Sequence, residues 1–125
     1  MGSLSSAKVV AFIGTANADQ AIEFYRDKLG LKLVEDSQFA LVFDANGVML
    51  RVQRVKETVV PPYTALGWEV DDIIATIRTL QGAGVFCERF PGLEQDELGV
   101  WQSPASARVA WFKDPSGFIL SLTQF

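Results

Sequence analysis

FDANGVMLR, residues 43–51, and KDPSGFILS, residues 113–121, are the same segment written twice. Each has an Asp three residues before a Gly, and an alternating apolar run follows. Asp at the start of a tight turn bonds its own backbone, and Gly supplies the left-handed conformation that ends it. Two copies of one turn-and-strand ending predict two copies of whatever precedes them.

Working outward, the first half reads as a strand at 9–15 and a helix opened by Asn17, with Gln20 placed to bond back. Ala18, Ala21, Ile22, Tyr25 and Leu29 recur at helical spacing, and Gly30 suits the stop. Strands follow at 31–35, 39–43 and 48–54. The second half repeats the order: a strand at 65–70, then a helix capped by Asp71 or Asp72 with an Ile73, Ile74, Ile77, Leu80 stripe. Gly82 or Gly84 ends that helix, and strands follow at 85–90, 107–113 and 118–124. The fold class is therefore α+β, with two tandem β-α-β-β-β modules spanning 8–55 and 64–125. One domain is expected over 8–125. Residues 1–7, MGSLSSA, lack the regions of a signal peptide and read as a flexible lead-in. The linker 56–63, KETVVPPY, is locally stiffened by Pro61 and Pro62. The stretch from Gly84 to Gly117 is much longer than that from Gly30 to Gly47, and the surplus lies mostly in 91–106, PGLEQDELGVWQSPAS.

Two helices cannot cover both faces of eight strands. The expectation is one curled mixed sheet, with helices on its convex side and a concave cavity. Parity fits this: Phe118, Leu120 and Leu122 share one face of the last strand, and Ile119, Ser121 and Thr123 the other. Likewise Leu66, Trp68 and Val70 oppose Ala65, Gly67 and Glu69.

Composition removes whole classes of chemistry. The 125 residues contain no His, which excludes Ser-His-Asp and Cys-His catalysis and every histidine-containing metal site. A single cysteine, Cys87, permits no intrachain disulfide and fits a cytoplasmic protein. The net charge is −4 and the 11 basic residues are scattered, so no nucleic-acid footprint is present. No apolar run is long enough to span a membrane.

AIEFYRDKLGLKLV (21–34), WEVDDIIATIRTLQGAGV (68–85) and WFKDPSGFILSL (111–122), in this order and in a duplicated frame, resemble the vicinal-oxygen-chelate superfamily. That superfamily comprises glyoxalase I, extradiol dioxygenases, and the bleomycin and fosfomycin resistance proteins. The 91–102 stretch is similar to members often labelled glyoxalase-like. The resemblance implies a homodimer and a metal held on the first and closing strands of each half. Carried across, those positions are Val10 (or Ala11), Arg51, Ala65 and Ser121. Valine and alanine have no donor atom, Arg51 is a fixed cation, and one serine is a poor ligand. No protein-held metal or other cofactor is therefore expected.

Arg51 is expected to face the cavity. It is either an anchor for a carboxylate or phosphate, or the partner of an internal salt bridge, as with Glu69, or a side chain reaching to the rim. Glu69 is either a general base raised by burial or the counter-ion of Arg51. Tyr63, Trp101 and Trp111 are candidates for an aromatic wall, with Ser121 beside them, and core packing is the plain alternative. For Trp68 core packing is preferred, whereas Trp101, in the insertion, suits a ligand or dimer role. Glu94, Asp96 and Glu97 are either a solvated loop or a lure for a basic ligand. Cys87 reads as buried and inert, and Asp114 as the organiser of its turn. The expected function is metal-independent binding of an anionic or planar aromatic small molecule. The alternatives are a lyase, isomerase or oxygenase using Glu69 or a ligand-borne metal, and a scaffold with a vestigial cavity.

Overall fold

The computed structural model describes residues 2–125, which divide into two compact modules with the boundary between Val59 and Val60. In the first, β1 (Val10–Thr15) leads to α1 (Ala18–Ile22), and β2 (Lys32–Asp36), β3 (Ala40–Ala45) and β4 (Val48–Arg54) follow. They form a four-stranded sheet in the order β1-β4-β3-β2, with β1 and β4 parallel and the other pairs antiparallel. In the second, β5 (Leu66–Glu69), α2 (Ile73–Gly82), β6 (Trp101–Gln102), β7 (Arg108–Lys113) and β8 (Ile119–Gln124) give the order β5-β8-β7-β6. The parallel pair here is β5 with β8. The duplicated β-α-β-β-β plan is therefore present. The single eight-stranded sheet is not: backbone pairing gives two sheets of four strands each.

Local chemistry sets the element ends. The Asn17 side chain accepts from Gln20 N at 3.2 Å, and Asp72 accepts from Ala75 N at 3.0 Å, so each helix starts on a side-chain cap. The two matching turns are built alike. Asp44 Oδ1 accepts from Gly47 N at 2.8 Å, and Asp114 Oδ1 accepts from Ser116 N and Phe118 N, both at 2.9 Å. Gly47 and Gly117 hold φ of 90° and 96°, which a side chain would strain. Asp114 is thus the turn organiser expected of it. Residues 2–7 form turns outside the sheet, closed by backbone bonds from Ser5 to Gly2 and from Ala7 to Leu4; Met1 lies outside the described residues.

The first helix departs from the regular spacing. After Ile22 it widens into a π-helical stretch, Glu23–Lys28, in which Leu29 N donates to Phe24 O at 2.9 Å. The adjacent rings of Phe24 and Tyr25 are both buried there, edge to face at 5.0 Å, and Tyr25 rests on Phe43 of β3 at 5.7 Å. Burying two neighbouring large rings on one side compensates the poorer hydrogen-bond geometry of the wide turn.

The strand expected at 85–90 does not form. Glu88 N donates to Trp111 O at 2.7 Å, but the segment's next groups are taken by a side chain. Gln95 Oε1 accepts from Phe90 N at 2.9 Å, and its Nε2 donates to Glu88 O at 3.0 Å. The β7 edge instead pairs with the insertion, Trp101 opposite Val109 and Gln102 opposite Arg108.

Each module buries one face of its sheet, and β3 is buried on both, with Ala40 and Val42 covered as well as Leu41 and Phe43. The first core holds Ile13, Leu41, Phe43, Leu50 and Val52; the second holds Ile73 and Ile77 of α2 against Ala110, Phe112, Leu120 and Leu122. The parity read on β5 and β8 holds, with Leu120 fully buried while Ser121 is only half-buried. Trp68 lies on the buried side, stacked on Phe112 at 6.3 Å, as core packing requires.

Candidate functional site

Each sheet has a face turned away from its core, and these carry the candidate residues. In the first module that face presents Val10, Phe12, Met49 and Arg51. Val10 pairs with Met49 and Phe12 with Arg51, and Arg51 with Val42 beyond. Ala11 shares the parity of buried Ile13, so Val10 is the position on the outward face. Phe12 is 55% exposed. Arg51 is half-buried, and its Nη1 donates to Met49 Sδ at 3.9 Å. Among the described residues of its own module, Arg51 has no carboxylate partner; the ion pairs there are Arg26–Asp27, Lys28–Glu23 and Arg54–Asp36. A hollow of about 260 Å³ lies on the same face, lined by Lys8, Val10, Val34, Val42, Asp44 and Met49 among others.

In the second module the outward face carries Gly67, Glu69, Trp101, Val109, Trp111, Ser121 and Thr123. Ser121 sits in a row between Gly67 and Trp111, and Thr123 between Glu69 and Val109. A Cβ at Gly67 would meet the Ser121 hydroxyl, so the glycine makes room for that side chain. Trp101 and Trp111 lie 6.1 Å apart, and Phe90 meets Trp111 edge to face at 5.6 Å. This brings Trp101, Trp111, Ser121 and Glu69 onto one side of one sheet. Tyr63 does not join the aromatic cluster; it is 68% exposed in the linker. Phe90 does join it, and the sequence signal was hidden inside a segment read as an ordinary strand. Glu69 is exposed, so the burial on which a general-base reading depends is not present.

Cys87 is half-buried. Burial pushes its thiol above the usual range, Asp96 and Glu88 add to this, and Arg89 opposes it. That agrees with an inert thiol.

Among the described residues, no group of three or more His, Cys, Asp or Glu side chains gathers as a metal would need. The positions that the resemblance assigns to metal ligands offer no donor atom at Val10 and a fixed cation at Arg51 in the first module, and no donor atom at Ala65 and one hydroxyl at Ser121 in the second. The residues present do not fit a divalent ion held there by this chain. No helix among the described residues is long and apolar enough to cross a membrane.

A family model, the Glyoxalase/Bleomycin resistance protein/Dioxygenase superfamily, matches residues 8–122. No curated protein matches the sequence. Solved structures share the fold at low identity. A member of that superfamily from Sphaerobacter thermophilus is 20% identical with a TM-score of 0.75, covering 98% of this chain and 99% of that one. A glyoxalase/bleomycin resistance protein/dioxygenase from Alicyclobacillus acidocaldarius is 18% identical at TM-score 0.70, over 96% and 92%. A lactoylglutathione lyase from Agrobacterium tumefaciens is 16% identical at TM-score 0.73, over 95% and 93%.

Proposed function

The chain belongs to the glyoxalase/bleomycin resistance protein/dioxygenase superfamily, and on that premise we propose that it is a metal-independent binding protein for a small anionic or planar aromatic molecule. The observation that carries this is Arg51. By the resemblance it takes the place of a metal ligand, and it lies on an outward sheet face among Phe12, Val10 and Met49, without a carboxylate partner among the described residues of its own module. A guanidinium takes a carboxylate or phosphate by two parallel charge-assisted bonds, which adds geometric specificity to the charge. The Trp101–Trp111 pair supports a planar ligand, since stacking on an amphipathic ring demands no particular polar group. Ser121 supplies a hydroxyl beside Trp111, and Tyr63 an exposed ring in the linker. The enzyme reading through Glu69 gains no support from an exposed carboxylate. A cytoplasmic homodimer completes the proposal.

Calorimetry with aromatic carboxylates, aromatic phosphates and their neutral analogues tests it. The anions should bind, and Arg51→Ala should weaken them at least about tenfold, the loss of one charge-assisted bond pair. Arg51→Lys should restore part of the affinity. No binding by the unaltered protein, or equal binding by Arg51→Ala, overturns the reading. So does stoichiometric metal with turnover of methylglyoxal plus a thiol. Light scattering checks the dimer.

A further inference from the structure

The insertion at 91–106 is held more firmly than a solvated loop requires. Gln95 uses its whole amide on the backbone, accepting from Phe90 N and donating to Glu88 O and, at 2.7 Å, to Gly99 O. Asp96 Oδ1 accepts from Leu98 N at 3.0 Å and Val100 N at 2.9 Å. Arg89 Nη2 donates to the carbonyls of Asp96 and Glu97 at 2.6 and 2.8 Å. These bonds fix one wall of a cleft of about 430 Å³ within the second module, lined by Glu94, Asp96, Val100, Trp101, Gln102 and Arg108 besides Gln95. That volume lies in the range of small-molecule sites.

The charges in this cleft are opposite, come from different elements and are not joined. Glu94 and Asp96 belong to the insertion, and Arg108 opens β7. Among the described residues no ion pair within 4.0 Å links Arg108 to either acid. The remaining Asp96 oxygen, the Glu94 carboxylate and the Arg108 fork are thus all available to a ligand. A lone anion would meet the two acids, and a lone cation would meet Arg108. A molecule bearing both charges satisfies both walls, and discrimination of this kind is what opposed unpaired charges produce.

We infer that this cleft of the second module is a binding site for a small zwitterion of the α-amino-acid class. Arg108 takes the carboxylate by its fork, Glu94 and Asp96 take the ammonium, and Gln102 offers an amide to either side. The site is tested by calorimetry with the proteinogenic amino acids at low salt, and with the N-acetyl and C-amide forms of the tightest binder. The free amino acid should bind, and blocking either charge should weaken it about tenfold or more. Arg108→Gln should remove the preference for the free acid over the amide. Glu94→Gln should reduce the preference for the free amine over its acetyl form. Absence of binding by any amino acid, equal binding of capped forms, or an unchanged preference in Arg108→Gln overturns the inference. The capped ligands probe the unaltered protein, so the outcome does not depend on a variant's folding.

Discussion

Replacing Gln95 by Leu tests whether the insertion is held by one side chain. Leu keeps a similar volume, so no large cavity enters the comparison. The substitution removes three hydrogen bonds, to Phe90 N, Glu88 O and Gly99 O, at 2.9, 3.0 and 2.7 Å. Gly99 is buried and the other two residues are half-buried, so water restores the lost bonds only in part. At about 1 kcal/mol for each bond, the loss is about 3 kcal/mol. Urea unfolding should show it as a lower midpoint at unchanged slope, with Tm falling by roughly 12 °C for a chain of this length. Gln95→Glu sharpens the test. Its carboxylate can still accept from Phe90 N but faces two carbonyl oxygens, which disfavours the charged form and raises its folded pKa. A group raised in this way contributes stability below its unfolded pKa and loses it as pH rises through the folded one. Gln95→Glu should therefore recover stability on acidification relative to Gln95→Leu. A Gln95→Leu loss below about 1 kcal/mol would refute the account of the insertion as a pinned wall.

Three further predictions follow from local geometry. Asp72→Ala should cost about 1 kcal/mol in urea unfolding, through the lost bond from Ala75 N, and Asp72→Asn should restore most of it. Gly67→Ala should be less favourable by about 1 kcal/mol in the unaltered protein than in a Ser121→Ala background, because the new methyl meets the serine hydroxyl; a double-mutant cycle with no coupling would contradict this. Cys87 should react with iodoacetamide several-fold more slowly than free cysteine at neutral pH, with its rate midpoint above that of an ordinary thiol, since burial and the neighbouring acids disfavour the thiolate. A rate equal to that of free cysteine would count against the burial described.

What sequence could reveal here was local, and what it missed was a competition between distant groups. Asn17 and Asp72 as caps, the Asp44 and Asp114 turns, and the parity of Leu120 against Ser121 all depend on residues within a few positions of one another. The 85–90 segment alternates well enough for a strand, with Val85 buried and Phe86 exposed. Nothing in that alternation says that Gln95 will claim the backbone of Glu88 and Phe90, leaving the start of the β7 edge for Trp101 and Gln102. The widened turn after Ile22 is hidden for a similar reason: regular spacing of Ala21, Ile22 and Tyr25 is compatible with both helical geometries until Phe24 and Tyr25 are packed. At the site, residue types at the metal positions spoke directly about chemistry, because a missing donor atom is visible without coordinates. Arg108 did not stand out, since its interest comes only from sharing a cleft with Glu94 and Asp96.

The parallel pairing of each module's first and last strands has a consequence for how the chain folds. Val10 must find Met49, and Leu66 must find Leu120, before either sheet can close. These are the longest loops each module has to shut, and they set a slow, non-local step in both. Closure entropy grows only with the logarithm of loop length, so the longer excursion in the second module adds roughly 0.3 kcal/mol over the first. The insertion therefore rests on a nearly flat part of the entropy curve. A second module can lengthen there, and change what its cleft recognises, with little effect on whether its sheet assembles.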